Sequence, residues 1–110
     1  MDITLPNNQH LHVRSKGEGT PTVLLIHGWA VSGRVWDGVM ERWPEGGGRL
    51  LVPDLRGTGW SSKPRAGYSL DQHRDDIVEL IDQLKLRDLV LVALLVVLVK
   101  ESRGGSPRSP

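Results

Sequence analysis

The sequence predicts an α/β protein, a β-hairpin followed by a βαβαβ parallel sheet. Three observations predict it. The short apolar runs Thr22–Ile26, Leu50–Val52 and Leu89–Val92 do not alternate, as expected of strands buried on both faces. Stretches of helical period lie between them. The resulting order of strand, helix, strand, helix, strand requires right-handed crossovers and a parallel sheet.

Each element has its own signal. Ile3 and Leu5, then Leu11 and Val13, alternate with polar neighbours, and Pro6-Asn7-Asn8-Gln9 supplies turn chemistry between them, so residues 2–14 read as the hairpin. Lys16 to Pro21 is a loop. After the first buried strand, Val35, Trp36, Val39, Met40 and Trp43 recur on one helical face, which places Trp36 and Trp43 in the core. Pro44 and Gly46-Gly47-Gly48 end that helix. Asp54 to Gly67 is a glycine-, serine- and proline-rich loop. In the second helix Ser69 and Gln72 have capping-box spacing, and Leu70, Ile77, Leu80, Ile81 and Leu84 form the apolar stripe. Asp88 to Val92 reads as a third buried strand. The apolar run continues to Val99 without charge, proline or glycine, and residues 100–110 read as a disordered tail.

Composition narrows the function classes. The 110 residues suffice for one small domain, whereas α/β sheets covered on both faces usually take about 200. A net charge of +1 gives no reason to expect nucleic acid or an anionic membrane as partner. The absence of cysteine excludes disulfides, thiolate catalysis and cysteine-bound metals. The amino terminus lacks a basic run followed by an apolar stretch, and Leu89–Val99 is shorter than the roughly 20 residues that span a bilayer, so a cytoplasmic location is expected.

Two motifs follow strands. His27-Gly28-Trp29 closes the first buried strand, at the end of a parallel sheet where ligands bind. It is either an ordinary strand-to-helix turn or a loop whose Trp29 N–H meets a developing oxyanion. Asp54-Leu55-Arg56-Gly57-Thr58-Gly59-Trp60-Ser61 follows the second strand. A dinucleotide loop would need a third glycine where Ser62 stands, and no Gly-Lys-Ser/Thr run makes a Walker loop. A structural turn fixed by Asp54 and Arg56 is the better reading. Trp29 and Trp60 lie on loops at that same end of the sheet.

Together these motifs resemble the α/β-hydrolase superfamily from about residue 2 to Val92. The residues that carry the likeness are Val23 to Trp29, Ser32, Trp36, Val52 to Ser62, the helix from Tyr68 to Leu86 and the strand Leu89–Val92. Among subfamilies the chain looks most like the carboxylesterases and non-haem haloperoxidases. It departs from the epoxide hydrolase pattern, which has proline where Ala30 stands. The resemblance implies a partial α/β-hydrolase fold over residues 1–92, an oxyanion-hole N–H at Trp29, and site-shaping loops at His27, Gly28, Asp54, Arg56, Gly57 and Gly59. It implies a serine-type hydrolase of esters or similar bonds, with no cofactor.

The resemblance also places the nucleophile elbow right after Val92, where the sequence has Ala93-Leu94-Leu95-Val96-Val97-Leu98. No G-x-S-x-G occurs; Gly104-Gly105-Ser106-Pro107-Arg108 comes nearest. No histidine follows His73 and no aspartate follows Asp88, so the acid and base are missing too. His73 and Asp76 are spaced to pair on the helix surface. His10 and His12 read as a solvent-facing hairpin pair rather than metal ligands. No catalytic or metal residue is therefore assigned. The expectation is a family member truncated before its nucleophile and inactive alone, taking a small-molecule substrate only if a C-terminal half completes it. The alternative is a non-catalytic fragment or interaction module from a frameshifted or mispredicted gene. An exposed, apolar third-strand edge is expected to favour self-association.

Overall fold

The structure is a computed structural model and describes residues 1–28 and 31–93. The strands are β1 (Asp2–Thr4), β2 (His10–Lys16), β3 (Thr22–Ile26), β4 (Arg49–Pro53) and β5 (Leu89–Ala93). The helices are α1 (Asp37–Glu41) and α2 (Leu70–Leu84). The five strands form one sheet in the order β1-β2-β4-β3-β5. β3 runs parallel to both β4 and β5, while β2 is antiparallel to β4 and to β1. The expected hairpin and βαβαβ unit are thus present, and the hairpin is sewn onto β4.

Strand alternation sends side chains to two cores, one on each face of the sheet. Leu11, Val13, Leu24 and Leu51 meet Ile3, Leu5 and Leu80 beneath α2, with Ile77, Ile81 and Leu84 packed against them. Leu25, Leu50 and Val52 point the other way and take Trp36, Met40 and Trp43. The two crossovers therefore cover opposite faces, and the loops at the carboxyl ends of β3 and β4 open on one end of the sheet.

Three local readings change. The first predicted helix is a 3-10 turn, Gly33–Trp36, followed by the five-residue α1. Trp36, Met40 and Trp43, at i, i+4 and i+7, reach the sheet, so Val35 and Val39 fall off that line and are exposed. Leu70 is exposed as the first residue of α2 and does not join the stripe. β5 is not buried on both faces: Val90, Leu91 and Val92 are 46%, 56% and 38% exposed. Among the described residues β5 pairs with β3 alone and no helix covers it, so only Leu89 packs into the core. The apolar run beyond Ala93 and the tail to Pro110 lie outside the described residues.

Candidate functional site

Register brings the motif residues to one place. Ile26 pairs with Ala93, and β3 also runs beside β4, so His27 and Asp54 leave the sheet at the same end. Both are buried.

Asp54 organises the loop after β4. Its Oδ1 accepts the Gly33 N–H at 2.8 Å and its Oδ2 accepts the Trp60 N–H at 3.0 Å. One carboxylate thereby joins the start of the first crossover to the end of the Asp54–Ser61 loop. Gly59 has φ +49°, and a Cβ there would overlap the Asp54 carboxylate. Glycine is needed at that position both for its backbone angle and for the close approach. The Ser61 hydroxyl donates to the Asp54 carbonyl and accepts the His12 N–H at 2.9 Å, which fastens the loop to β2.

His27 is locked rather than free. The Leu55 N–H donates to Nε2 at 2.9 Å, so the neutral ring carries its proton on Nδ1, which donates to the Gly28 carbonyl at 2.7 Å. Burial pushes the pKa of His27 down, against the opposing pull of the Gly28 bond and the Asp54 charge. Thr58 Oγ1 lies 3.1 Å from the same Nε2, so both nitrogens are engaged within the protein and the ring holds two loops together.

Arg56 turns away from the sheet end towards α2. Its Nε and Nη2 donate to the two oxygens of Asp76 at 2.6 and 2.7 Å, and Nη1 reaches the Gly67 carbonyl at 3.2 Å. Both partners are almost fully buried. The Asp76 bonds hold the guanidinium pKa above its ordinary value. The expected His73–Asp76 surface pair is absent for this reason. A planar guanidinium matches both carboxylate oxygens at once and displaces a single histidine bond. His73 instead lies beside the Tyr68 ring, with centroids 6.3 Å apart and a buried Nδ1 that has no partner. Burial lowers its pKa, Asp76 raises it, and Arg56 and His27 lower it further. Gly57 meets the Tyr68 ring, leaving no room for a side chain.

The hairpin histidines are half-buried and engaged. His12 Nδ1 contacts Asp2 Oδ1 at 2.9 Å, which lowers the Asp2 pKa. His10 meets Ser62 and the Trp60 carbonyl. Trp60 is 75% exposed. Among the described residues no group of three or more His, Cys, Asp or Glu could hold a metal ion. Trp29 and Ala30 lie outside the described residues. No serine, histidine and carboxylate stand in mutual hydrogen-bond reach among the described ones.

Sequence reasoning missed the Arg56–Asp76 clasp and the His10–Ser62 contact. The first had a signal: Asp76, four residues before Leu80, lies on the apolar stripe of α2, where a charge needs a buried partner. The second joins residues 52 apart and had none.

Residues 21–94 match the family model described as the alpha/beta hydrolase fold. A non-heme chloroperoxidase of Kitasatospora aureofaciens is 39% identical over 77 residues, which are 70% of this chain and 28% of that protein. An epoxide hydrolase of Caballeronia sordidicola is 36% identical over 88 residues, or 78% of this chain and 26% of that one. The departure at Ala30 therefore does not set the chain apart from such enzymes in overall sequence. An esterase structure from Exiguobacterium antarcticum superposes with a TM-score of 0.76 at 32% identity, covering 82% of this chain and 33% of that one. A bromoperoxidase structure from Bacillus anthracis gives 0.76 at 34% identity, over 89% and 35%. The chain thus spans about a third or less of the length of these relatives.

Proposed function

The chain belongs to the alpha/beta hydrolase fold family, and from that premise we propose that it carries the opening third of a serine-type hydrolase of ester or similar bonds, without turning over an ester by itself. It supplies the first strands of the sheet and, at the end of β3, the loop whose Trp29 N–H would serve an oxyanion. His27, Gly28, Asp54 and Gly59 shape that end of the sheet, while Arg56 ties the same loop to α2 and Gly57 makes room for the Tyr68 ring. A small-molecule substrate enters only when the remaining two thirds of the fold are supplied.

The observation that carries this reading is the state of His27. The histidine at the sheet end has Nδ1 on the Gly28 carbonyl and Nε2 on the Leu55 N–H, with the Thr58 hydroxyl oxygen 3.1 Å from that same Nε2. It cannot accept a proton from a nucleophile without breaking the bond that holds the Asp54 loop. Loss of a single triad member already costs orders of magnitude in rate, and here the whole triad has no described counterpart.

Steady-state hydrolysis of p-nitrophenyl butyrate tests it. The expected rate is that of the heat-denatured chain at equal concentration. A saturable rate with a measurable kcat would overturn the reading.

A second reading, a non-catalytic fragment or interaction module from a frameshifted or mispredicted gene, is favoured by the exposed Val90, Leu91 and Val92. Reading the DNA downstream of the Val92 codon in its other two frames decides it. A Gly-x-Ser-x-Gly elbow in one of those frames supports a frame error, and its absence from both removes that origin.

A further inference from the structure

Away from His27, one hydroxyl and one imidazole meet in the arrangement that activates a nucleophile. Ser62 lies in the loop after β4, and His10 opens β2. Because β2 is antiparallel to β4, the two meet at the carboxyl end of β4. Three hydrogen bonds join them. The Ser62 N–H donates to the His10 carbonyl at 3.0 Å, the His10 N–H donates to Ser62 Oγ at 2.9 Å, and Ser62 Oγ lies 2.8 Å from His10 Nδ1.

The tautomer follows from the other ring nitrogen. His10 Nε2 is 3.1 Å from the Trp60 carbonyl, which can only accept, so the neutral ring carries its proton on Nε2. Nδ1 is then the acceptor and the Ser62 hydroxyl donates to it. A nucleophile bonded to a base, and a base oriented by a third group, is the arrangement that activates a hydroxyl. The His10 N–H already aimed at Oγ also stabilises the negative charge that grows there as the proton leaves. Both residues are half-buried, within reach of a small reagent, and Trp60 offers exposed aromatic surface two residues away.

We propose that Ser62 is an acylation site, with His10 as its general base, that captures an acyl group from an activated ester such as an aryl ester or a thioester. Oγ forms a bond to the acyl carbon, and the bond from that carbon to the aryloxy or thiolate group breaks, the leaving group taking the electron pair. The Oγ proton passes to His10 Nδ1 and then to the leaving group. The step is a single capture without turnover. It stands apart from the function proposed above, because stoichiometric capture without turnover leaves that reading intact.

Treating the chain with p-nitrophenyl acetate and mapping the modified peptides by mass over time tests this. Ser69 is the internal control, an exposed serine whose Oγ accepts from the Gln72 N–H with no histidine bonded to it. Ser62 should acquire a hydroxylamine-labile acetyl group on the order of 10²-fold faster than Ser69, the effect of a positioned base. His10→Gln should bring Ser62 down to the rate of Ser69 and leave Ser69 unchanged. Equal rates at Ser62 and Ser69 in the unaltered chain would overturn the proposal, whether or not the variant folds. So would a folded His10→Gln variant that kept the fast rate.

Discussion

Asp76 sits on the buried stripe of α2 because Arg56 meets it there. The two form a two-pronged pair with almost no access to water. Its net worth to stability is small, since both charges lose hydration, but removing one partner strands the other. Asp76→Ala should therefore cost about 3–5 kcal/mol in a urea titration, most of what a small domain possesses. The double variant Arg56→Met, Asp76→Met should recover a large part of that loss. A single variant as stable as the parent would show that the clasp does not hold the Asp54 loop to α2. The same pair explains why the site was only partly legible in the sequence. The residue types and spacing of the Asp54–Ser61 loop pointed to a fixed turn. They did not show that Arg56 leaves the loop for a helix 20 residues on, taking the carboxylate that His73 had been expected to share.

At the scale of elements, strands were more legible than the first crossover. Apolar runs without alternation identified β3, β4 and β5, because a strand in a parallel sheet announces itself by composition. The Ser69 cap of α2 was visible for a similarly local reason, and its Oγ does accept the Gln72 N–H at 3.1 Å. Burial of β5 was misread, since composition reports what a strand is suited to and not what stands beside it. Among the described residues that strand offers a row of backbone groups flanked by Val90, Leu91 and Val92. Sedimentation should reveal association that grows with protein concentration, and Leu91→Lys should shift it towards the monomer by placing a charge on the edge. A parent chain monomeric at every concentration would contradict this.

At the scale of the whole molecule, acidity should act through two imidazoles. Burial is the main cause that depresses the pKa of both His27 and His73, so the folded chain prefers them neutral. The unfolded chain takes up protons at an ordinary histidine value of about 6.5. Stability from these groups is thus fully present above about pH 6.5 and is lost as pH falls towards their lowered folded values. Urea midpoints should drop over that interval, and less steeply in His73→Gln. A pH-independent midpoint across it would refute the assignment.

The strand order has a consequence for how the chain is made. β2 does not sit beside β3, its successor in sequence, but beyond β4, with Val13 opposite Pro53. The hairpin must therefore leave the ribosome and wait until β4 has been translated. At about 5–20 residues per second that delay lasts seconds. Throughout it Leu11 and Val13, wholly shielded in the finished fold, stay open to whatever the nascent chain encounters.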